Sequence, residues 1–528
     1  MKSSQKTYSV VVRALTKGRV LTALLQILPG YFSQIGAMND DNRTPLHHAA
    51  LNGKTSTVVQ LLTSGALIEA TDKDKNTPLH LAVWKGHIHV VELLLDKSAL
   101  IQATNKYHNT PLHLAAWNGH IDMVELLLQN GALIEATNRY NNSPLHLASL
   151  KGHTGVVEVL HEKGASIEEI DWNYNAPLHL AARCGYPGTV KLLLEKGAST
   201  QSLNGTFTTP LHLAALNGHT SVMELFLEKG APIEAVGRFD NTPLHLAAWN
   251  GQTGMVELLL EKGAWTEAIN RRNNTPLHLA AQYGQTGIVE ILLREGASIE
   301  AMDEDDNTAL YLAARGGKTG TVELLLRKGA SIEALDRSSN TPLHIAAHNG
   351  NTGVVELLLE KGASIQPLNG CSSTPLHLAS IVELLLRKGA SIQPLDRSSN
   401  TPLHFAALDG RASVVELLLR NGASVQPLNG CHDTPLHLSA SRGHTTVVEL
   451  LLAKGAPIEA VNEEKSTPLH LSVWNRHPRV VELLLRQGAS VLAMDQDDNT
   501  PLHIAYGHIG IVYLIKNHIA KLAHENST

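Results

Sequence analysis

The tetrapeptide Thr44-Pro45-Leu46-His47 returns along the whole chain at a near-constant interval, and that interval restricts the fold more than any other feature. Its first position falls at residues 44, 77, 110, 143, 176, 209, 242, 275, 308, 341 and 374, then at 401, 434, 467 and 500. The step is 33 residues throughout, except for 27 residues between 374 and 401. Ser143 and Ala176 stand in for the threonine, and Thr308 is followed by Ala309-Leu310-Tyr311. Fifteen copies in 528 residues point to a stack of small units. A single core stops growing near ~250–300 residues. A linear array, in which each unit leans only on its neighbours, has no such limit.

Residues 110–142 show what one unit dictates. Thr110 is a good helix N-cap, and Pro111 takes the first helical position, where its missing N–H costs nothing. Leu112, Leu114, Ala115 and Ala116 make a slender apolar helix that ends at Gly119. A second helix follows from Ile121, with apolar residues at 121, 124, 127 and 128 in helical period. Gly131 supplies the left-handed position that ends it. Leu133-Ile134-Glu135-Ala136 then leads to the polar tip Asn138–Asn142 before the next cap.

The pattern TPLHxAAxxGH…VVELLLxxGAxIEA, carried from about residue 34 to the end, resembles the ankyrin-repeat family. The resemblance implies an all-α repeat solenoid: stacked helix-turn-helix units with β-hairpin tips along one edge, wound as a left-handed superhelix. It also implies that the TPLH histidine bonds locally, to the cap threonine and nearby backbone. Residues 1–33 are expected to form a degenerate N-terminal capping unit, and 34–373 a first block of repeats. A shortened repeat at 374–400, with six residues of its inter-helix turn missing, is expected to leave a seam; the alternative is a deletion tolerated between near-identical copies. Repeats of a second block follow over 401–506, and 507–528 is expected to be a capping helix and tail. This chain departs from the family at the tips: the residue two before the cap is mostly Asn, Asp, Ser or Lys rather than Gly, with Lys75 and Lys465 less suited to left-handed backbone than Asn or Asp. The usual hairpin Asn is Glu or Gln, as at Glu69 and Gln102.

Several chemistries are excluded on the residues. The histidines of the repeated tetrapeptide cannot converge on a metal: two zinc ligands lie within ~4 Å of each other, whereas neighbouring helices pack ~8–10 Å apart. Several glutamates of the second helices face cations at i+4, as in Glu290–Arg294, Glu323–Arg327, Glu416–Arg420 and Glu482–Arg486, and mark a solvated face. No HExxH, GxGxxG, P-loop, GxSxG or kinase signature occurs. No catalytic residue, metal or cofactor is expected. Cys184, Cys371 and Cys431 are too few and too scattered for a disulfide framework. With a net charge of −6 and no Lys/Arg-rich run, neither nucleic acid nor an anionic membrane is expected as the main partner. The apolar stretch 8–28 is interrupted by Arg13, Lys17 and Arg19, so neither a signal peptide nor a spanning segment is expected.

Aromatic residues are only 4% of the chain, so their clustering is informative. Trp84, Trp117 and Trp249 share one row at the end of the first helix, and a fourth tryptophan, Trp474, lies far along. At the tips, Tyr107, Tyr140 and Phe239 share the position three residues before the cap, with Trp172, Tyr174 and Phe207 one step to either side. The family binds through tips and first helices on the concave face. These nine residues, in repeats two to seven, are therefore the expected partner-binding surface, since large rigid side chains make hot spots. The acidic tips 303–306 and 495–498 suit either solvent or a basic segment. The expected function is a monomeric, non-catalytic scaffold or adaptor in the cytoplasm. Its alternatives are a secreted effector of an intracellular microbe acting on host proteins (and so in the host cytoplasm), or a regulatory subunit controlling an enzyme in trans.

Overall fold

The computed structural model describes residues 38–378 and 380–525. The N-terminal capping unit expected over 1–33 lies outside them. The chain divides into two compact units, Met1–Trp265 and Thr266–Thr528. Each is built from the same element pair.

In the first unit, helices such as Pro78–Trp84, Pro111–Asn118 and Pro144–Lys151 alternate with second helices such as Ile88–Asp96, Ile121–Gln129 and Thr154–Glu162. The second unit repeats the scheme, for example in Pro342–Asn349 and Thr352–Glu360. Helices of 7 to 9 residues are below the ~12–15 needed for stability alone. What holds them is burial against the adjacent pair. In the pair at 111–129, Leu112, Ala115 and Ala116 of the first helix and Val124 and Leu127 of the second are almost wholly shielded from solvent. The alanines keep the first helix thin enough for its neighbours to approach on both sides.

Each pair ends in a tip, and no strand occurs among the described residues. The tip at 72–76 is a turn closed by the main-chain bonds Asp72 N–H to Asn76 C=O (3.0 Å) and Lys75 N–H to Asp72 C=O (2.9 Å). It joins the preceding tip through Lys73 N–H to Asp41 C=O (2.9 Å). The Asp72 carboxylate accepts from the N–H groups of Asp74 and Asn76, both at 2.9 Å, and so replaces a ladder with a side-chain turn. The residue two before each cap is left-handed, including Lys75 (φ 58°), Tyr174 (58°), Phe207 (56°) and Lys465 (53°).

The shortened repeat keeps both helices, reduced to Pro375–Leu378 and Val382–Arg387. The latter has lost its first turn, and a cleft of about 470 Å³ opens there, lined by Thr352, Ile381, Glu383, Arg387, Val414 and Arg420. At the end of the described chain, helix Ile509–Glu525 buries Ile511 and Ile515 and leaves Tyr513 exposed.

Candidate functional site

The caps decide what the histidines can do. The Thr77 main-chain N–H donates to His80 Nδ1 (3.2 Å), so that nitrogen is unprotonated. His80 Nε2 therefore carries the hydrogen and donates to the carbonyl of Asn109 in the next repeat (3.1 Å). The same geometry holds at His113, with Thr110 N–H at 3.1 Å and Asn142 O at 3.0 Å, and at His146, His344 and His437. At Ala176, which has no hydroxyl, the ring of His179 alone accepts the cap N–H (3.1 Å). In these histidines both ring nitrogens are committed, so each is a rivet between repeats. Burial pushes the imidazolium of His80, His113 and His179 down to about 4. At Tyr311, which replaces the histidine, Thr308 still accepts the residue's main-chain N–H (3.3 Å). Its hydroxyl donates instead to Asp336 (2.7 Å).

The surface glutamates follow the expected pairing only in part. Glu416–Arg420 (2.6 Å) and Glu482–Arg486 (2.5 Å) form as i,i+4 pairs. Glu290 instead meets Lys328 (3.3 Å) and Arg327 (4.0 Å) of the following repeat, while Arg294 turns to Glu295 (3.0 Å). Adjacent second helices bring those cations as near as the next turn of the same helix would. The acidic tip at 303–306 is answered by Arg272 and Arg337 within its own unit.

Within the first unit, the end of the first helices and the tips form a groove of about 810 Å³. Trp84, Tyr107, Trp117 and Tyr140 line it together with Leu114 and Leu147. Trp172 extends the aromatic wall, meeting Tyr140 edge-on at 6.4 Å. Of the nine residues singled out from the sequence, these five are thus brought together. Tyr174, Phe207, Phe239 and Trp249 lie outside the groove, although Tyr174, Phe207 and Phe239 are more than half exposed. Cations of the chain itself cover three rings: Lys151 Nζ over Trp117 (4.0 Å), Lys106 Nζ over Tyr107 (4.9 Å) and the Arg238 guanidinium over Phe239 (4.7 Å).

Charge at the groove is uneven. Arg43 is held by Asp72 (3.3 Å), and Asp74, the carboxylate among the lining residues, is paired with Lys106. Among the described residues, no carboxylate pairs with Lys85 of the lining or with Lys151, which lies over Trp117. Asn138 Nδ2 donates to Asn109 Oδ1 (2.9 Å), and Asn109 lines the groove.

Two features escaped the sequence reading. A second set of rings, at the start of the second helices, donates backwards: His87 Nε2 to Leu51 O (3.0 Å), His153 to Trp117 O (3.0 Å) and His219 to Arg183 O (3.0 Å). The recurrent Gly-His dipeptide is its signal. Also unread was a row of aliphatic side chains six residues before the caps, half exposed at Leu203 and Val236 in the first unit and at Leu335, Leu368 and Leu428 in the second. Its signal is the same 33-residue spacing.

Among the described residues, no group of three or more His, Cys, Asp or Glu side chains is placed to hold a metal, and no helix is long and apolar enough to cross a membrane. The three cysteines are free thiols.

Comparison with known proteins came back to the repeat. A family model described as ankyrin repeats (3 copies) matches in overlapping windows from residue 11 to residue 526. Among solved structures, the human ASB11 ankyrin repeat domain is similar at 28% identity and a TM-score of 0.39, covering 42% of this chain and 98% of that one. No curated protein matches the sequence.

Proposed function

The chain belongs to the ankyrin-repeat family, whose members are generally protein-interaction modules, and from that premise we propose that it is a non-catalytic scaffold whose main partner protein docks in the aromatic groove of the first unit. The observation that carries the reading is the meeting of Trp84, Tyr107, Trp117 and Tyr140 in one open groove, in a chain with 4% aromatics. A groove of this kind desolvates large rigid side chains at little entropic cost, which is what a hot spot requires. Trp172 continues the contact surface, and Tyr174, Phe207, Phe239 and Trp249 prolong it along the tips and concave face of later repeats.

The histidines support the non-catalytic part. A general base needs a free lone pair within reach of substrate. Here the Nδ1 lone pair accepts a cap N–H and the Nε2 hydrogen goes to a carbonyl, in a buried position. The test is partner capture by the full chain against a Tyr107→Ala, Tyr140→Ala, Phe239→Ala variant, with circular dichroism confirming that both fold. Loss of the captured partner, or at least a ~30-fold drop in its affinity, is expected. Unchanged affinity refutes the docking surface.

A further inference from the structure

We propose that the groove takes an acidic segment of the partner in an extended, polyproline-II-like conformation, with one residue in three seated against an aromatic ring. The inference rests on the interaction reading above and adds the chemistry of the guest.

Period and size favour an extended chain. Equivalent rings such as Trp84 and Trp117 sit one repeat apart, a step set by helix packing at ~8–10 Å. Three residues of polyproline II advance about 9 Å, so the same face of the guest meets each repeat in turn. An α-helix ~10 Å across laid over three repeats would fill on the order of 2000 Å³. The groove holds about 810 Å³. A polyproline-II backbone also has no internal hydrogen bonds, so its carbonyls need donors. The side-chain –NH₂ of the lining residue Asn109, whose Oδ1 is already taken by Asn138, is one such donor, and the hydroxyls and indole N–H groups of the four lining aromatics offer others.

Charge complementarity fixes the sign of the guest. With Arg43 and Lys106 already neutralised by Asp72 and Asp74, the excess at the groove is Lys85 in its lining and Lys151 over the lining ring of Trp117, both cationic and solvent-exposed. Lys151 now lies on the face of Trp117, at 4.0 Å. A guest carboxylate draws that ammonium aside and uncovers the ring for the guest's apolar residue. Recognition and unmasking are then one event.

The experiment is selection of a random 16-residue peptide library on the full chain, followed by anisotropy titration of fluorescein-labelled winners. The expected winners are rich in Asp and Glu, with Pro or aliphatic residues at three-residue spacing. Their affinity should fall at least ~30-fold against Trp117→Ala/Tyr140→Ala. It should fall ~10-fold against Lys85→Glu/Lys151→Glu, and about as much from 50 to 500 mM NaCl, because these charges are exposed and screened. Melting curves establish that both variants are folded. Winners that need Trp117 and Tyr140 but are basic, or that space their apolar residues as i, i+4, i+7, overturn this inference and leave the interaction reading standing. Winners indifferent to Trp117 and Tyr140, or no winners at all, overturn both.

Discussion

Acidification from pH 7 to 5 should loosen the first unit far more than its surface charges would suggest, and the cap histidines set the size of the effect. In the unfolded chain an imidazole takes up a proton near pH 6.5. In the folded chain, desolvation holds His80, His113 and His179 to about 4, against the partial opposition of backbone carbonyls and of Asp72 or Asp171. Between those values the unfolded state binds more protons, so stability is full above pH 6.5 and falls as pH falls toward 4. Integrating the difference, each ring costs about 2 kcal/mol between pH 7 and 5, or about 6 kcal/mol for the three. The shifts at His47, His146 and His212 have the same direction and cause. Carboxylates do not imitate the effect. Asp72 is lowered below its ordinary 3.8 and acts only under more acid conditions, and Glu169, desolvated and beside Glu135, is raised and works in the opposite sense. The assay is urea unfolding followed by circular dichroism at half-unit pH steps from 7.5 to 4.5, with His80→Gln/His113→Gln in parallel. Glutamine at the third helical position can still accept the cap N–H but does not titrate in this range. The wild type should lose midpoint steeply below pH 6.5, and the double variant should lose about 4 kcal/mol less by pH 5. A wild-type midpoint that is flat from pH 7 to 5, or a variant with the same slope, refutes the reasoning.

Other outcomes follow from the same contacts. Gly119→Ala should destabilise by about 2 kcal/mol in urea unfolding, because φ there is +75° and the new Cβ would lie 2.6 Å from His153 Nδ1. Gly131→Ala, at φ +85° with open space, should cost only about 1 kcal/mol. Lys75→Gly should add about 1 kcal/mol by relieving the left-handed strain (φ 58°) of a side-chain-bearing residue. Tyr311→Phe should cost about 1–2 kcal/mol, since the buried hydroxyl's bond to Asp336 (2.7 Å) is lost. Amide hydrogen exchange should be fastest across 374–400 within the second unit, where the two helices are shortest and the cleft opens. Uniform protection over 365–400 would remove the expected seam.

Much of this was legible because a 33-residue period reports local rules many times over. Proline at N1, threonine at most caps and glycine after most helices fix the helix pairs, and the sequence places them where the structure has them. What the period hides is contact between repeats, between residues 29 to 38 apart. The rings of His153 and His219, the Glu290–Lys328 pair and the bond from Glu69 to Leu100 N–H (2.7 Å) all belong to that class. Each joins residues that neither neighbour in sequence nor share a helix, so only the stacking geometry reveals them.

The aromatic surface shows where the boundary lies. Its rarity and its two rows were readable, but its extent was not, because a one-residue shift at a tip changes the backbone that carries the ring. Tyr107 and Tyr140 stand three residues before their caps and line the groove. Tyr174 and Phe207 stand two before, at the left-handed position, with φ of 58° and 56°. A left-handed residue aims its Cβ away from the direction taken by its neighbour in extended or helical backbone, so two equally aromatic tips point to different places. Moving the aromatic of the fifth tip back by one, as Asn173→Tyr with Tyr174→Asn, should therefore extend the groove toward Trp172 and raise affinity for a partner that already uses Tyr140. If affinity is unchanged, position within the tip is not what selects the groove residues.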